Sequence, residues 1–450
     1  MMTESQKTKL TEYESAKAPC AARERLTALF DDGVYTETLS GLKAGVVTAY
    51  GYINGCPAYA FSQDRTVSEG AVSKAHAEKI CKMFDLAAKN GVPVVGIYDS
   101  CGAFIEDGAD ALSSYSAVLL EAGNISGVVP VVSVVSGVCG GSMAVIAETA
   151  DFVVMTESAE LYAAAGESSD AESAAKSGVV SAVVSDDSAA METVRKYLSL
   201  MPQNNLSPLP EFEYDAPAAA SYETAAEALS SIADADSVLE LRSGFGTAVT
   251  ALCTISGTAA GVVAVDRKSG KLTADDCSKI SAFVRLCDAF SVPVVTSVDT
   301  DGFDMSGAES VRAAAKLSGA YAEATCAKIA LVSGKACGAS FIAFAGKNAC
   351  ADQIIALPNA VIAPMEPETA AEFLYHDKLK GAADLSAERS KIAAEYAENE
   401  ASAFAAAAKG AVDEVVSPEN ARSVISGILE VTAGKRLNKR LPKKHSVHSL

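Results

Sequence analysis

The stretch AHAEKICKMFDLAAKNGVPVVGIYDS, residues 75–100, holds the pattern that decides the fold. Apolar residues at helical spacing, among them Ile80 and Phe84, are followed at once by a short Val-rich run. This spacing predicts a helix over residues 78–90 and a buried strand after it. The stretch DDCSKISAFVRLCDAFSVPVVTSVD, residues 275–299, has the same order. Helix followed by buried strand, repeated along the chain, predicts an α/β architecture with parallel crossovers.

The chain matches itself at a spacing of about 200 residues, which indicates an internal repeat. Three of the ordered matches are VTA at 47–49 and 249–251, VPVV at 92–95 and 292–295, and the turns CGGS at 139–142 and CGAS at 337–340. We interpret the repeat as two copies of one fold. The predicted domains are residues 1–215 and 216–435, with a Pro- and Asn-rich linker around residues 201–217 and a basic tail at 436–450.

Composition excludes several classes of protein. The chain has 450 residues, of which 49% are hydrophobic and 21% charged, so two or three domains can each bury a core. A formal charge of -20 disfavours nucleic-acid binding, because phosphate backbones are bound through an excess of Lys and Arg. The polar first twenty residues lack the apolar stretch of a secretory signal. We therefore expect a cytoplasmic protein.

Residues 125–147 carry no charge and are long enough to suggest a membrane span. The segment contains Pro130 and several Gly and Ser residues, and its first half is rich in Val. Such a run predicts a buried parallel strand that leads into a glycine-rich turn and a helix. We therefore interpret it as part of the sheet.

The eleven cysteines are scattered and form no CxxC pair, and the four histidines have no spacing typical of metal ligands. We expect reduced thiols in the core and no metal site. His76 stands in a helix and His376 in a polar stretch, so we expect them to be structural or solvated. No GxSxG motif, P-loop or His-based dyad is visible, which disfavours hydrolytic and nucleotide-driven chemistry.

The candidate sites are two turns, SVVSGVCGGSMA at 133–144 and IALVSGKACGASFIA at 329–343. In each, a Val-rich or apolar strand ends in small residues before a helix, where unpaired N–H groups can stabilise an oxyanion. The predicted donors are the N–H groups of Gly141, Ser142, Ala339 and Ser340. Small residues at such turns are also used only to pack helix against strand, and that alternative stays open. The occurrence of the turn in both copies favours a function.

Long motifs resemble the carboxyltransferase (β) subunits of biotin-dependent acyl-CoA carboxylases and of sodium-pumping acyl-CoA decarboxylases. The motifs are VVTAYGYINGCPAYAFSQD at 46–64, AHAEKICKMFDLAAKNGVPVVGIYDSCGA at 75–103, FVRLCDAFSVPVVTSVD at 283–299 and AYAEATCAKIALVSGKACGAS at 320–340. The resemblance covers nearly the whole chain. It implies an α/β tandem repeat of two crotonase-like (ClpP/crotonase) domains and a carboxyl transfer between biotin and the α-carbon of a short-chain acyl-CoA.

The resemblance also implies roles for the two turns. Gly140, Gly141 and Ser142, with Gly102 and Ala103 nearby, would bind the acyl-CoA thioester in the N-terminal domain. In the C-terminal domain, the turn of Gly338, Ala339 and Ser340 would bind the biotin ureido oxygen, with Ile342 as a further substrate contact.

Family members usually form hexamers. The expected partners are a biotin carboxyl carrier protein, which holds the biotin, and either a biotin carboxylase or a membrane decarboxylase subunit.

The chain departs from the family pattern at two loops. Phe104 stands where the family usually has Arg, and Asp301-Gly302-Phe303 replaces the usual Pro-Gly-Phe. Ile342 stands where propionyl-type members often have Asp, which favours another acyl group, although a core Ile on a helix is an equal alternative.

These departures motivate a second hypothesis, a non-catalytic assembly subunit. A crotonase-type isomerase, with Glu148 as base, is a third.

Overall fold

The computed structural model describes residues 2–435 except 16, 165, 168, 218, 219, 305 and 306, and the predicted basic tail at 436–450 therefore lies outside the described residues. The chain divides into two compact units, Met1–Pro208 and Leu209–Leu450. The division falls inside the Pro- and Asn-rich segment that we interpret as a linker.

The first unit alternates strands and helices, as the spacing at residues 75–100 predicts. Its helices are α1 Glu4–Ser15, α2 Ala21–Leu29, α3 Lys74–Asn90, α4 Ala109–Ile125, α5 Ser142–Glu148, α6 Ala171–Lys176 and α7 Asp187–Leu200. Its strands are β1 Tyr35–Thr38, β2 Val46–Ile53, β3 Cys56–Gln63, β4 Val94–Ser100, β5 Val131–Gly140, β6 Phe152–Thr156, β7 Glu160–Tyr162, β8 Ser169–Asp170 and β9 Ala182–Val184.

The second unit follows the same order. Its helices are α8 Ala225–Ile232, α9 Ala274–Ala289, α10 Ala308–Glu323, α11 Ala339–Ala345, α12 Pro367–Leu374, α13 His376–Lys380, α14 Leu385–Asn399, α15 Ala403–Ala408 and α16 Pro418–Thr432. Its strands are β10 Leu239–Glu240, β11 Val249–Ile255, β12 Thr258–Val265, β13 Val294–Val298, β14 Lys328–Val332, β15 Lys335–Cys337, β16 Gln353–Ala356, β17 Val361–Ala363 and β18 Glu414–Val415.

The two main sheets have matching strand orders, β1-β2-β3-β4-β5-β6-β9 and β10-β11-β12-β13-β14-β16-β18. In each sheet the first three strands pair antiparallel and the later ones pair parallel. Parallel strands need crossover connections, and in both units helices connect successive parallel strands. The predicted internal repeat and the α/β class are therefore confirmed.

Helix α3 shows how the sequence sets one of these crossovers. Its apolar side, which includes Ile80 and Phe84, packs into the core against the sheet. It begins at Lys74, four residues before the predicted start, because the Ser73 hydroxyl accepts the His76 N–H at 3.3 Å and caps the first turn. It ends at Asn90, and the next residue, Gly91, has a φ of +62°, the left-handed conformation that glycine adopts readily.

The uncharged segment at 125–147 belongs to the sheet layers of the first unit, as predicted. It comprises the end of α4, all of β5 and most of α5. None of the helices in the described part of the chain combines the length and the hydropathy that a membrane span requires.

Candidate functional site

The turn after β5 is built from a strand pair and a strained glycine. Gly140 pairs with Tyr162 of β7, and a Cβ on Gly140 would lie 2.5 Å from the Tyr162 ring, so a larger residue here would displace this side chain. Gly141 has φ +66° and ψ -144°, a conformation that is essentially restricted to glycine. Helix α5 begins at the next residue, and the N–H groups of Ser142 and Met143 meet no acceptor among the described residues. Two backbone donors are therefore available here.

The turn after β15 repeats this geometry. Gly338 has φ +58° and ψ -123°, and its N–H donates to the Ala363 carbonyl oxygen of β17 at 2.9 Å. The N–H groups of Ala339 and Ser340 at the start of α11 have no acceptor in the described part of the chain. The Ser340 hydroxyl is buried and donates to the Cys337 carbonyl oxygen at 2.9 Å, which closes the turn.

The structure shifts the equivalence of the two turns by one residue. The Gly141 N–H donates to the Tyr162 carbonyl oxygen at 2.8 Å, just as that of Gly338 donates to Ala363. Gly141 therefore corresponds to Gly338, whereas the sequence match paired Gly140 with Gly338. The expectation that the Gly141 N–H is an available donor is corrected, because this N–H is already occupied by the strand pairing. The Ser142 N–H has no acceptor among the described residues, as predicted, and the Met143 N–H replaces that of Gly141 as the second candidate donor.

A second loop in each unit adds one more unoccupied backbone donor. The sequence analysis named Ala103 as a substrate-binding residue but did not predict its N–H as a donor. After β4, the Val72 N–H donates to the Gly102 carbonyl oxygen at 2.9 Å, and the Phe104 N–H donates to Val72 at 3.2 Å. Between them, the exposed Ala103 has an N–H with no acceptor among the described residues. A Cβ on Gly102 would lie 3.6 Å from the Gly140 carbonyl oxygen, so this loop and the turn are neighbours.

The corresponding loop of the second unit follows β13. The Leu272 N–H donates to the Gly302 carbonyl oxygen at 3.0 Å, and the Asp304 N–H donates to Leu272 at 2.8 Å. Phe303 lies between them in the position of Ala103, and the described residues offer its N–H no acceptor. The repeat of Asp99 and Gly102 as Asp299 and Gly302 is the signal in the sequence that marks these loops.

Two buried carboxylates hold the strands that lead to the turns. Asp99 accepts the Val138 N–H at 3.3 Å, and Asp299 accepts the Lys335 N–H at 2.7 Å. A Cβ on the residue before each donor, Gly137 or Gly334, would lie within 2.3 Å of the carboxylate, so both positions require glycine. Each aspartate thus fixes the turn of its own unit.

The second turn also carries an ion-pair cluster that has no counterpart in the first. The Lys335 ammonium lies 2.5 Å from an Asp301 carboxylate oxygen and 2.6 Å from one of Glu366. Burial lowers the pKa of Lys335, but the hydrogen bonds to these two carboxylates outweigh it and raise the pKa above its usual value. Because Val138 occupies the matching position in the first unit, the two turns differ in charge and in polarity.

The other residues named in the sequence analysis do not contribute an unoccupied N–H group. Ile342 is 63% exposed on α11, so it is not a core residue. Phe104 is half-buried in the loop after β4. His76 is fully buried and His376 is exposed, as expected for structural and solvated histidines. Glu148 ends α5, about 9 Å along the helix axis from Ser142, too far to act as a base at the turn.

The thiols are mostly in the core, as predicted. All eleven cysteines are unpaired, and seven of them are buried. Cys56 and Cys101 are exposed, and Cys101 directly precedes Gly102 in the loop after β4. Within the described ranges, no group of three His, Cys, Asp or Glu side chains is arranged to hold a metal ion.

Comparisons with known proteins agree on one family. The model of the carboxyl transferase domain matches residues 20–448. The chain is 33% identical to the methylmalonyl-CoA decarboxylase subunit alpha of Propionigenium modestum, over 97% of this chain and 94% of that protein. It is 34% identical to a putative propionyl-CoA carboxylase beta chain of Bacillus subtilis, over 95% and 93%.

Among solved structures, the chain matches transcarboxylase 12S, described as a hexamer assembly and crystallised with methylmalonyl-coenzyme A and methylmalonic acid. The TM-score is 0.91 at 30% identity, and the match covers 100% of this chain and 99% of that chain. The crotonase-like carboxyltransferase fold is therefore confirmed for both units.

Proposed function

Because the chain belongs to the carboxyl transferase domain family, we propose that it is the carboxyltransferase subunit of a biotin-dependent acyl-CoA carboxylase or decarboxylase. The observation that carries the proposal is the set of unoccupied N–H groups that recurs in both units, at Ala103, Ser142 and Met143 and at Phe303, Ala339 and Ser340. A transfer between two reactants needs two oxyanion sites, and a tandem repeat supplies one for each.

The first set would bind the thioester oxygen of the acyl-CoA. When the α-proton leaves, negative charge develops on this oxygen, and the fixed N–H groups of Ala103 and Ser142 stabilise it without rearranging. Each good donor of this kind contributes about 3 kcal/mol to the transition state. The α-carbon would then bond to the carboxyl carbon, the bond between that carbon and the biotin ureido nitrogen would break, and the α-proton would end on this nitrogen.

The second set would bind the biotin ureido oxygen, with biotin held on a separate carrier protein. When bound, carboxybiotin supplies both the carboxyl group and the base for the α-proton. The chain itself then needs only donors, and the N–H groups of Phe303, Ala339 and Ser340 fit a single oxygen that gains charge. This division of labour is consistent with the places of the two histidines that the structure describes, His76 buried in the core and His376 exposed on α13.

We propose partners on the same grounds. A biotin carboxyl carrier protein would present biotin to the second turn, and a biotin carboxylase or a membrane decarboxylase subunit would set the direction of transfer. The relatives named above are subunits of such systems, and transcarboxylase 12S is described as a hexamer. A cytoplasmic hexamer of this chain is the corresponding proposal, and light scattering of the purified protein tests its size.

The test uses the purified full chain with methylmalonyl-CoA or malonyl-CoA and free biotin, with mass spectrometry of the decarboxylated CoA thioester and of carboxybiotin. Ser142→Pro and Ala339→Pro each delete one proposed donor at the first residue of a helix, where proline is tolerated. We expect kcat to fall about 100-fold in each. Ala339→Ser keeps the N–H and is the matched control.

The outcomes separate the alternatives. Transfer that depends on both donors supports the carboxyltransferase. No transfer from any acyl-CoA by a folded wild-type chain supports the non-catalytic assembly subunit, for which Phe104 in place of the usual Arg is the motivation. Transfer that is unchanged in both proline variants contradicts the proposed oxyanion sites.

A further inference from the structure

The strand pair that leads into each turn differs in the size of its side chains. Gly140 pairs with Tyr162 in the first unit, and Cys337 pairs with Ala363 in the second. Both pairs lie directly before the glycine of positive φ that opens the turn, so they occupy the same position in the repeat. The first unit therefore has a large side chain at a place where the second has a small one.

In the first unit, Tyr162 connects the turn to the neighbouring loop. Its ring lies over Gly140, and its hydroxyl donates to the Cys101 carbonyl oxygen at 3.4 Å. Cys101 lies two residues before Ala103, whose N–H is one of the proposed donors. The repeat places Asp301 at the position of Cys101. One neutral side chain thus links the strand pair of the first turn to the loop that carries the third donor.

In the second unit, Ala363 is too short for this task, and a cation makes the connection instead. The ammonium of Lys335, at the start of β15, lies 2.5 Å from an Asp301 carboxylate oxygen and 2.6 Å from one of Glu366. Asp301 lies two residues before Phe303, the donor of this loop, and Glu366 lies between β17 and α12. The ion pairs therefore join the strand pair of the second turn to its donor loop.

The main chain of Lys335 holds the same loop. Its N–H donates to Asp299 at 2.7 Å, and its carbonyl oxygen accepts the Thr300 N–H at 2.8 Å. With the ion pair to Asp301, three consecutive residues of the loop contact Lys335. Its side chain is only 18% exposed, so these charges are less screened than those of a surface pair.

The cluster carries one more negative than positive charge. Asp301 and Glu366 lie within 2.6 Å of the same ammonium, so each carboxylate is close to the other. Without Lys335, two like charges would face each other, and their repulsion would separate the donor loop from α12. The position of the Phe303 N–H therefore depends on this ammonium.

We propose that Lys335 is a positioning residue for the second turn, because its ammonium keeps the loop that carries the Phe303 N–H beside the other two donors. Tyr162 has the matching task in the first unit, with a neutral hydroxyl in place of the ion pairs. The inference rests on the proposed carboxyl transfer. It assigns each of the two side chains to one reactant, Lys335 to biotin and Tyr162 to the acyl-CoA.

Steady-state kinetics of the full chain with free biotin and methylmalonyl-CoA test this assignment. Lys335→Met should raise KM for biotin at least about tenfold and lower kcat, because small displacements of a donor have large effects, and should leave KM for methylmalonyl-CoA unchanged. Lys335→Arg can still pair with both carboxylates and should restore most of the loss. Tyr162→Phe keeps the ring and should raise KM for methylmalonyl-CoA alone, by about threefold.

The matched control is Lys409→Met, which removes an exposed cation that pairs with Glu400 at 3.2 Å in the same unit and should change neither KM. Equal changes of both KM values in Lys335→Met overturn the proposal, and so does a Lys335→Arg variant as impaired as Lys335→Met. A rise of KM for biotin in Tyr162→Phe contradicts the division between the two reactants.

Hydrogen exchange followed by mass spectrometry tests the positioning without turnover. In Lys335→Met, peptides that cover residues 299–304 should exchange at least about tenfold faster than in wild type, those that cover 99–104 should not change, and Lys335→Arg should restore the slow rate. Unchanged exchange at 299–304 overturns the proposal even if the wild type is active. Faster exchange there, in a chain whose wild type transfers no carboxyl group, supports the role of Lys335 and contradicts the proposed function instead.

Discussion

At the scale of single residues, Asp99 shows how a buried charge positions a site. Its carboxylate faces Arg25 on one oxygen and the Val138 N–H on the other, and Val138 lies two residues before Gly140. A buried ion pair whose partner is removed leaves an uncompensated charge, which costs about 3 kcal/mol or more. The Asp99 carboxylate thus stabilises the first unit through Arg25 and positions its turn through the Val138 N–H.

We expect Asp99→Asn to lower the free energy of unfolding by about 3 kcal/mol, because Arg25 loses one of its two carboxylate partners. Urea unfolding followed by circular dichroism measures the change. Glu69→Gln is the control, since the Arg65–Glu69 pair is exposed on both sides and should contribute less than about 1 kcal/mol. Equal losses in the two variants would contradict the role of Asp99.

His76 predicts a dependence of stability on pH. Burial, with a smaller effect of Lys79, lowers the pKa of His76 from its ordinary 6.5 to about 3. Its Nε2 lies 3.2 Å from Gln63 Nε2, which donates to the neutral ring. Between pH 6.5 and pH 3 the unfolded chain binds a proton at this residue that the folded chain does not. This contribution to stability is therefore complete above pH 6.5 and is lost as the pH falls.

The free energy of unfolding should fall by about 1.4 kcal/mol for each pH unit below 6.5, over and above the other groups. Urea unfolding between pH 7 and pH 5 measures the slope. His76→Gln should flatten it by that amount, and His376→Gln, at an exposed position, is the matched variant for comparison. The same slope in wild type and His76→Gln would show that this histidine is protonated in the folded state.

At the scale of elements, the two crossover helices α3 and α9 begin with caps of different strength. The Ser73 hydroxyl accepts one N–H at the start of α3. At the start of α9, Thr273 and Asp276 form a capping box, and the buried Asp276 carboxylate also accepts the N–H groups of Thr247 and Ala248, at 2.6 and 2.8 Å. Asp276 therefore connects α9 to the segment that enters β11.

Ser73→Ala should lower the free energy of unfolding by about 1 kcal/mol, the usual cost of losing a cap. Asp276→Ala should cost about 3 kcal/mol, because it leaves several backbone donors without an acceptor. Urea unfolding of the two variants, each compared with wild type, measures the difference. A loss in Asp276→Ala no larger than in Ser73→Ala would contradict this role of Asp276.

The elements also show which features a sequence reveals. The structure confirms three patterns that can be read directly from the sequence. These are the apolar spacing of α3, the Val-rich strands and the internal repeat. The start of α3 at Lys74 depends on the Ser73 cap, which the apolar spacing does not register. Whether a backbone N–H is available depends on strand pairs between residues far apart in the sequence. The Gly141 N–H, for example, is occupied because it donates to the carbonyl oxygen of Tyr162. The Lys335 cluster likewise joins the start of β15 to Asp301 and Glu366, which are far apart in sequence.

At the scale of the whole molecule, a short irregular segment connects the two units along the chain. The Asn204 side chain donates to the Gly91 carbonyl oxygen on one side, and the Phe212 N–H donates to Gly257 on the other. Between these contacts lies Leu206, which is 91% exposed. Exposed loops of this kind are preferred sites of proteolysis.

Limited digestion with chymotrypsin should therefore cleave first after Leu206 and separate the chain into its two units. Mass spectrometry of the early fragments identifies the bond. Leu206→Ser removes the preferred side chain and should slow this cut without changing the others. Early cuts inside α3 or α9 would contradict the division into two compact units.

The one-residue offset between the turns has a consequence for grafting. A chimera that joins the halves by their shared Cys-Gly letters would place Gly338 at the site of Gly140, next to the Tyr162 ring. Every residue of α11 would then sit one place out of step with α5, which turns its side chains by about 100° around the helix. Exposed Ile342 would rotate toward the sheet and a buried neighbour toward solvent. An exchange cut at Gly141 and Gly338 keeps both glycines in the positive-φ conformation that each turn requires and leaves each helix facing its own core.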